Sequence, residues 1–227
     1  MLEDAFDAMT RRMMFCLPGR ITTFDAETQR AQIEFGIQPV INGTPRQALT
    51  ADNVPVQFAG DNEWYHWHQI TPGETEGIIV FSQRNMEQWK QAGGPAAPAD
   101  RRTFSGGDAM FVPGVRSLGN AIPNLATSGA GISNYAGDTH VTLTDASLVA
   151  EKSGSTVTLT DSDIVAQVGS STITVTGSSI TLQAGGQTFT LSSAGANHNG
   201  TNIGDTHTHP QGPDSDGNSE QDTGPPK

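Results

Sequence analysis

From Asp138 onward the chain repeats itself every sixteen residues. Val141, Val157, Ile173 and Phe189 each open a similar tetrapeptide: VTLT, VTLT, ITVT and FTLS. Leu148, Ile164 and Ile180 keep the same spacing, and so do Ala150, Ala166 and Leu182. Several matched positions across successive copies make an internal repeat. Each copy holds two strand cores of the form apolar-x-apolar, separated by short turns rich in Ser, Asp and Gly. Outward positions are mostly Thr and Ser, which suit strands without needing burial.

This repeat limits what the segment can build. Sixteen residues are few for one chain to wrap round its own core as a solenoid coil. With about two inward side chains per strand, residues 138–200 cannot bury enough apolar surface to fold alone. Two arrangements meet the requirement. One is a flat meander packed on something else. The other is an intertwined homotrimer, a β-helix or prism in which three chains each supply one side of every rung. The trimer is the favoured expectation, because it also removes the open edges of a lone meander. About nine strands fit between Asp138 and His209, which at ~4.8 Å per strand gives a narrow shaft roughly 45 Å long. Such a needle offers no concave pocket for a substrate.

The trimer changes the meaning of GDTHTHPQG, residues 204–212. His207 and His209 are i and i+2, which point to the same side of an extended strand. Three chains would bring six imidazoles together as two stacked triangles, an octahedral set of nitrogens. That geometry suits Fe(II), Ni(II) or Co(II) better than Zn(II), which prefers four ligands. Binding needs neutral imidazole, so it should weaken in acid. His207 and His209 are therefore the candidate metal ligands, and no catalytic residue is expected. A second HxH, His66 and His68 in WYHWHQ, has Trp64, Tyr65 and Trp67 as neighbours. It is expected to hold packing and surface residues of an aromatic strand. His140 and His198 stand alone and are expected on the surface or in turns. The acids of DSDGNSEQD (214–222) lack the full spacing of a calcium loop. That tail is expected to be disordered or to fold back as a cap.

The N-terminal part follows a different pattern. Leu2, Phe6, Met9, Met13 and Leu17 mark one face of a short helix, stopped by Pro18-Gly19. GRITTFDAETQRAQIEF forms a hairpin. Further strand candidates are 53–60, 62–70 and 76–83, with TPGE (71–74) as a turn and DAMFVPGV as a last strand. A short helical piece lies around Met86–Trp89. Several short strands in this length suggest a small closed or half-closed β-barrel. The expected organisation is all-β: helix 1–17, barrel 18–115, a Ser/Gly/Asn-rich linker 116–137, the repeat shaft 138–200, and an apex with polar tail, 201–227.

Composition excludes several functions. Hydrophobic residues are 34% of the chain and aromatics 6%, too few for the whole chain to be an ordinary globule. The net charge of −12 argues against general binding to nucleic acid or anionic membrane surfaces. The single cysteine, Cys16, excludes an intrachain disulfide framework. No stretch matches a secretory signal or a transmembrane helix, so the expectation is synthesis in the cytoplasm.

Three features together resemble the central baseplate spike, the membrane-piercing tail tip, of contractile-tailed bacteriophages. They are the segment VPVQFAG…EGIIVFSQRNMEQWKQAG…DAMFVPGV, the Ser/Thr/Gly-rich β repeat, and the HTHTHP end. The resemblance implies an oligosaccharide/oligonucleotide-binding-like (OB-like) barrel that docks on the baseplate hub protein. It implies a trimeric β-helix, and one iron ion per trimer held by six histidines, here His207 and His209 of each chain. It also implies a place at the tail tip of the virion and mechanical piercing of the host outer membrane during sheath contraction. Eighteen residues follow His209, which departs from a sharp end. Spikes of bacterial contractile secretion or injection systems use similar parts and are the alternative. A tailspike cleaving surface polysaccharide needs a groove, a carboxylate pair and usually aromatic platforms. The repeat has no Trp or Tyr after Tyr135, and the chain has no GxSxG, P-loop or HExxH motif. Enzyme activity is not expected.

Overall fold

A computed structural model describes residues 13–61 and 63–224. The chain is mostly β and divides after Ala121 into two compact units. Most of the helix expected over 2–17 lies outside the described residues. Its last two positions, Cys16 and Leu17, are extended and open the first strand.

The first unit contains β1 (Cys16–Asp25), β2 (Arg30–Phe35), β3 (Val40–Ile41), β4 (Thr44–Pro45), β5 (Thr50–Pro55), β6 (Glu76–Phe81), α1 (Glu87–Ala92) and β7 (Ala109–Pro113). Five strands form an antiparallel half-barrel sheet in the order β5-β2-β1-β6-β7. Its two edges approach where Val56 bridges Phe111 in parallel and the Gln57 amide donates to the Phe111 carbonyl at 2.9 Å. β1 pairs with both β2 and β6, and a bulge at Thr22 gives it the extra twist this needs.

Alternation sets the core of this unit. Ala31, Ile33 and Phe35 of β2 and Ile79 and Phe81 of β6 point inward, with half-buried residues between them. They meet Ile21, Val54 and Phe111. Gly77 lets β6 and β7 pack closely: a Cβ there would lie 2.3 Å from the Val112 carbonyl oxygen. Asp108, just before β7, is fully buried. It accepts from the Met86 amide at 2.9 Å and from Arg102 through Nε (2.7 Å) and Nη2 (3.1 Å). This pairing ties the long loop after β6 to the barrel.

Among the described residues of 62–70 the expected strand is absent, and that stretch shows one isolated bridge, Gly60 to Tyr65. The Asp61 carboxylate accepts the Glu63 and Trp64 amides, and this turn diverts the backbone from a ladder. Trp64 and Trp67 are 83% and 78% exposed, so they do not pack in a core. The expected strand 53–60 is likewise shortened, with only 53–55 inside β5.

The second unit is a ten-stranded antiparallel meander: β8 (Ala130–Ser133), β9 (Thr139–Leu143), β10 (Leu148–Lys152), β11 (Ser155–Leu159), β12 (Asp163–Val168), β13 (Ser171–Thr176), β14 (Ser179–Ala184), β15 (Gln187–Ser192), β16 (Gly195–His198) and β17 (Thr201–Asn202). Each strand pairs with the next in sequence. The period of sixteen is two strands plus two different turns. Along one edge run tight turns with positive φ, such as Ser153-Gly154, Gly185-Gly186 and Asn199-Gly200. Along the other edge, Thr144, Thr160 and Thr176 each accept two backbone amides through Oγ1, two and three residues ahead.

The register of this meander gives it one apolar face. Val141, Ala150, Val157, Ala166, Ile173, Leu182 and Phe189 are successive cross-strand partners and form one column. Leu143, Leu148, Leu159, Ile164, Val175, Ile180 and Leu191 form a second column beside it. The opposite face carries Thr142, Thr158, Thr174, Thr181 and Thr190. No described residue of this unit is buried.

Candidate functional site

The path to the two histidines starts at β17. The Asn202 side chain accepts the Gly204 amide (2.9 Å) and donates to Thr206 Oγ1 (2.8 Å). This folds residues 202–206 into a turn that presents His207. The His207 amide donates to the Gly204 carbonyl at 3.3 Å, and its ring Nδ1 faces the same oxygen within hydrogen-bond distance. A carbonyl only accepts, so Nδ1 carries a proton, and in the neutral ring Nε2 is then the nitrogen free to bind a metal. Metal-ligating histidines are commonly oriented in this way.

The His207 and His209 rings lie together, with centroids 5.0 Å apart and planes at 86°. Residues 205–209 form no regular strand, so the alternation of an extended strand is not what brings the two rings together. His207 is half-buried and His209 exposed. No group of three or more His, Cys, Asp or Glu suited to a metal exists among the described residues of one chain. The pair therefore fits a metal only as a partial ligand set, completed by ligands from elsewhere.

The tail after Pro210 folds back. Thr223 Oγ1 accepts the His209 amide at 2.8 Å, and the Thr223 amide donates to the His209 carbonyl at 3.0 Å. Between them Asp214 closes a small loop. Its Oδ1 accepts the Asp216 and Asn218 amides and its Oδ2 accepts Asn218 Nδ2. The Asn218 side chain and these amides hold the Asp214 carboxyl below its usual range. Both oxygens are committed to the loop itself, which is a structural turn.

The other histidines separate clearly. His68 stacks near Phe58, with ring centroids 5.1 Å apart, on an exposed loop. His140 lies on the polar face of the meander, its Nε2 3.8 Å from Glu151. His198 is exposed, as expected, and directly precedes the Asn199-Gly200 turn. It ends β16 and pairs with Phe189, so it extends the first apolar column. A concavity of about 410 Å³ on that face is lined by Ala166, Ile173, Leu182, Phe189 and His198 among others.

The apolar face is the larger feature. Ile132, Val157, Leu159, Ile173 and Leu191 are all exposed on it. Monomeric soluble proteins rarely leave so continuous an apolar strip open to water.

Residues 17–114 match the family model described as Phage protein Gp138 N-terminal domain. The match spans β1 to β7 and stops before the repeat. It supports a phage-associated structural protein and a virion-associated location. No curated protein matches the chain.

Proposed function

We propose that the protein is the trimeric tail-tip spike of a contractile phage baseplate, which opens the host outer membrane mechanically. The observation that carries this reading is the meander's apolar face, two columns wide and uncovered from β9 to β15. Three copies turned with these faces inward would make a prism. Each chain would supply one wall from its own hydrogen-bonded ladder, and the Thr-rich faces would meet water. The ladder needs no strand from another chain, so intertwining would be confined to side chains at the axis and the ends.

The remaining parts take their roles from this prism. The order β5-β2-β1-β6-β7, with its parallel approach of Val56 and Phe111, supports an OB-type barrel, which would dock the spike on the baseplate hub. His207 and His209 of three chains would supply six nitrogens to one iron ion, and the ion would staple chain ends that otherwise fray. The chain's strong negative charge, tripled in the assembly, would keep the spike from sticking to anionic lipopolysaccharide. A spike of a bacterial secretion or injection system would use the same parts. The match to a phage domain favours the phage reading.

Light scattering with elemental analysis tests the proposal. The expected result is a trimer carrying one iron. A monomer, or a trimer without metal, sinks it. His207→Ala with His209→Ala should lose the iron while the trimer still forms.

A further inference from the structure

We propose that His198 forms a second metal site, a ring of three imidazoles on the axis of the trimer and separate from His207 and His209. This inference rests on the trimeric reading above.

The argument starts from the register. Across β13, β14 and β15 the inward residues form triplets: Ser171, Ile173 and Val175; Ile180, Leu182 and Ala184; Gln187, Phe189 and Leu191. The middle residue of each triplet is farthest from both turn edges. Under threefold closure it stands nearest the axis. Ile173 pairs with Leu182, Leu182 with Phe189, and Phe189 with His198. His198 is therefore the next member of the axial column. The residues facing it are Phe189 on β15, Thr201 on β17 and Ala196 on its own strand. None is charged. Between it and Lys152 of β10, the strands β11 to β15 carry no ionisable side chain on this face; on the other side, past β17, the chain leads to Asp205, His207 and His209.

The chemistry follows from the surroundings. The His198 ring has no hydrogen-bond partner among the described residues. Closing the trimer would take its nitrogens out of water, and an unpaired polar group in an apolar layer is costly. A head-to-tail ring of N–H···N bonds obeys threefold symmetry, but the donor and acceptor of each imidazole diverge too widely to close a three-membered ring without strongly bent, weak bonds. Imidazole is also smaller than the phenyl ring of Phe189 in the layer below. Three of them leave space on the axis where three phenyl rings would fill it. A divalent transition metal with three nitrogen ligands and one water meets both needs. Three histidines with an open position suit four-coordinate Zn(II) or Co(II). His207 and His209 would instead give six-coordination.

Cobalt distinguishes the two sites, because four-coordinate Co(II) absorbs visible light far more strongly than six-coordinate Co(II). The full-length protein is stripped with chelator, its oligomeric state measured by light scattering, and Co(II) added. The expected result is a trimer binding two Co(II), with an intense visible band. His198→Phe continues the Phe189 column and should bind one Co(II) per trimer without the band. His198→Gln serves as a second variant and should do the same. His207→Ala with His209→Ala should keep the band and lose the other ion. A band that persists in both His198 variants overturns the proposal, as does a wild-type trimer taking a single Co(II) that follows His207 and His209. Either result leaves the trimer standing. A wild-type monomer overturns the trimeric reading itself, and with it this site.

Discussion

Ile173→Asp separates a closed apolar face from an open one. Ile173 is the middle inward residue of β13 and is 46% exposed in the single chain. Fully burying an isoleucine side chain contributes about 1.5–3 kcal/mol. Covering the exposed half therefore contributes about 0.7–1.4 kcal/mol per chain, and about 2–4 kcal/mol for the three copies in one layer. Aspartate removes this gain and adds a larger cost. Three carboxylates would converge in one layer, each stripped of water and each beside two like charges. The penalty for an unpaired buried ion is several kcal/mol. On an open face the same change is a surface substitution, worth within about ±0.5 kcal/mol. The assay is light scattering with thermal melts over a hundredfold range of protein concentration. Wild type should be a trimer whose melting rises with concentration. Ile173→Asp should be monomeric at micromolar concentration at neutral pH, and should regain association below the carboxylate range, near pH ~4. Thr174→Asp, one residue away on the opposite face, should remain trimeric. The reasoning is refuted if Ile173→Asp stays trimeric at neutral pH, or if it and Thr174→Asp behave alike.

Three further outcomes are expected. Asp108→Asn should destabilise the barrel unit by about 1.5–3 kcal/mol in denaturant melts, because it removes the charge from a buried acceptor of three hydrogen bonds. Burial alone would raise the Asp108 carboxyl, but Arg102, the Met86 amide and the nearby Lys90 cation together more than offset it and hold it below its usual value. Its stabilisation is thus complete above the ordinary carboxylate range, near pH ~3.9, and is lost as pH falls through the lower folded value; the Asn variant should show a flatter acid melting profile. Gly77→Ala should cost about 1–3 kcal/mol by overpacking, since its Cβ would meet the Val112 carbonyl at 2.3 Å, and the denaturant midpoint reports it. Thr160→Val should cost about 0.5–1.5 kcal/mol and speed hydrogen exchange at the Ser162 and Asp163 amides, which donate to its hydroxyl.

Regular parts of the fold were legible in the sequence because their physics is periodic. A strand has period two, and each turn edge of the meander reuses one turn chemistry, so two strands and two turns recur as sixteen residues. β1, β2, β6 and β7 carried the alternation of half-buried strands. The stretch 62–70 carried it too, but Asp61 overrode it locally by capping two amides. The sequence Asp-Asn-Glu-Trp held that signal, since Asp favours such turns. Leu17 fits a helical face by spacing and Cys16 falls inside the same expected helix, yet they pair with Ile79 and Val80 of β6. A partner strand distant in sequence decided their conformation, and local spacing cannot report one.

The candidate site was legible in proportion to how far register enters it. His207 and His209 are two residues apart, so their closeness needed no knowledge of pairing. His198 was different. Alone in sequence, beside Asn197 and Asn199, it looks like a turn residue. Its face is set by its antiparallel partner, Phe189, nine positions earlier. The signal was nevertheless present in the repeat: Ala150, Ala166 and Leu182 are sixteen apart, and the next member of that series is position 198. A polar residue in an otherwise aliphatic series departs from the local rule, and such departures are expected where a protein is functional or strained. The position of His198 in the series gives the departure a direction. On an open sheet it would be one more solvated imidazole. On a closed threefold axis it becomes three imidazoles above three phenyl rings, in a layer that packing alone does not fill. The same closure that hides Ile173 therefore decides whether His198 is a surface residue or a ligand, and the Ile173→Asp and cobalt experiments test one physical event at two heights along one column.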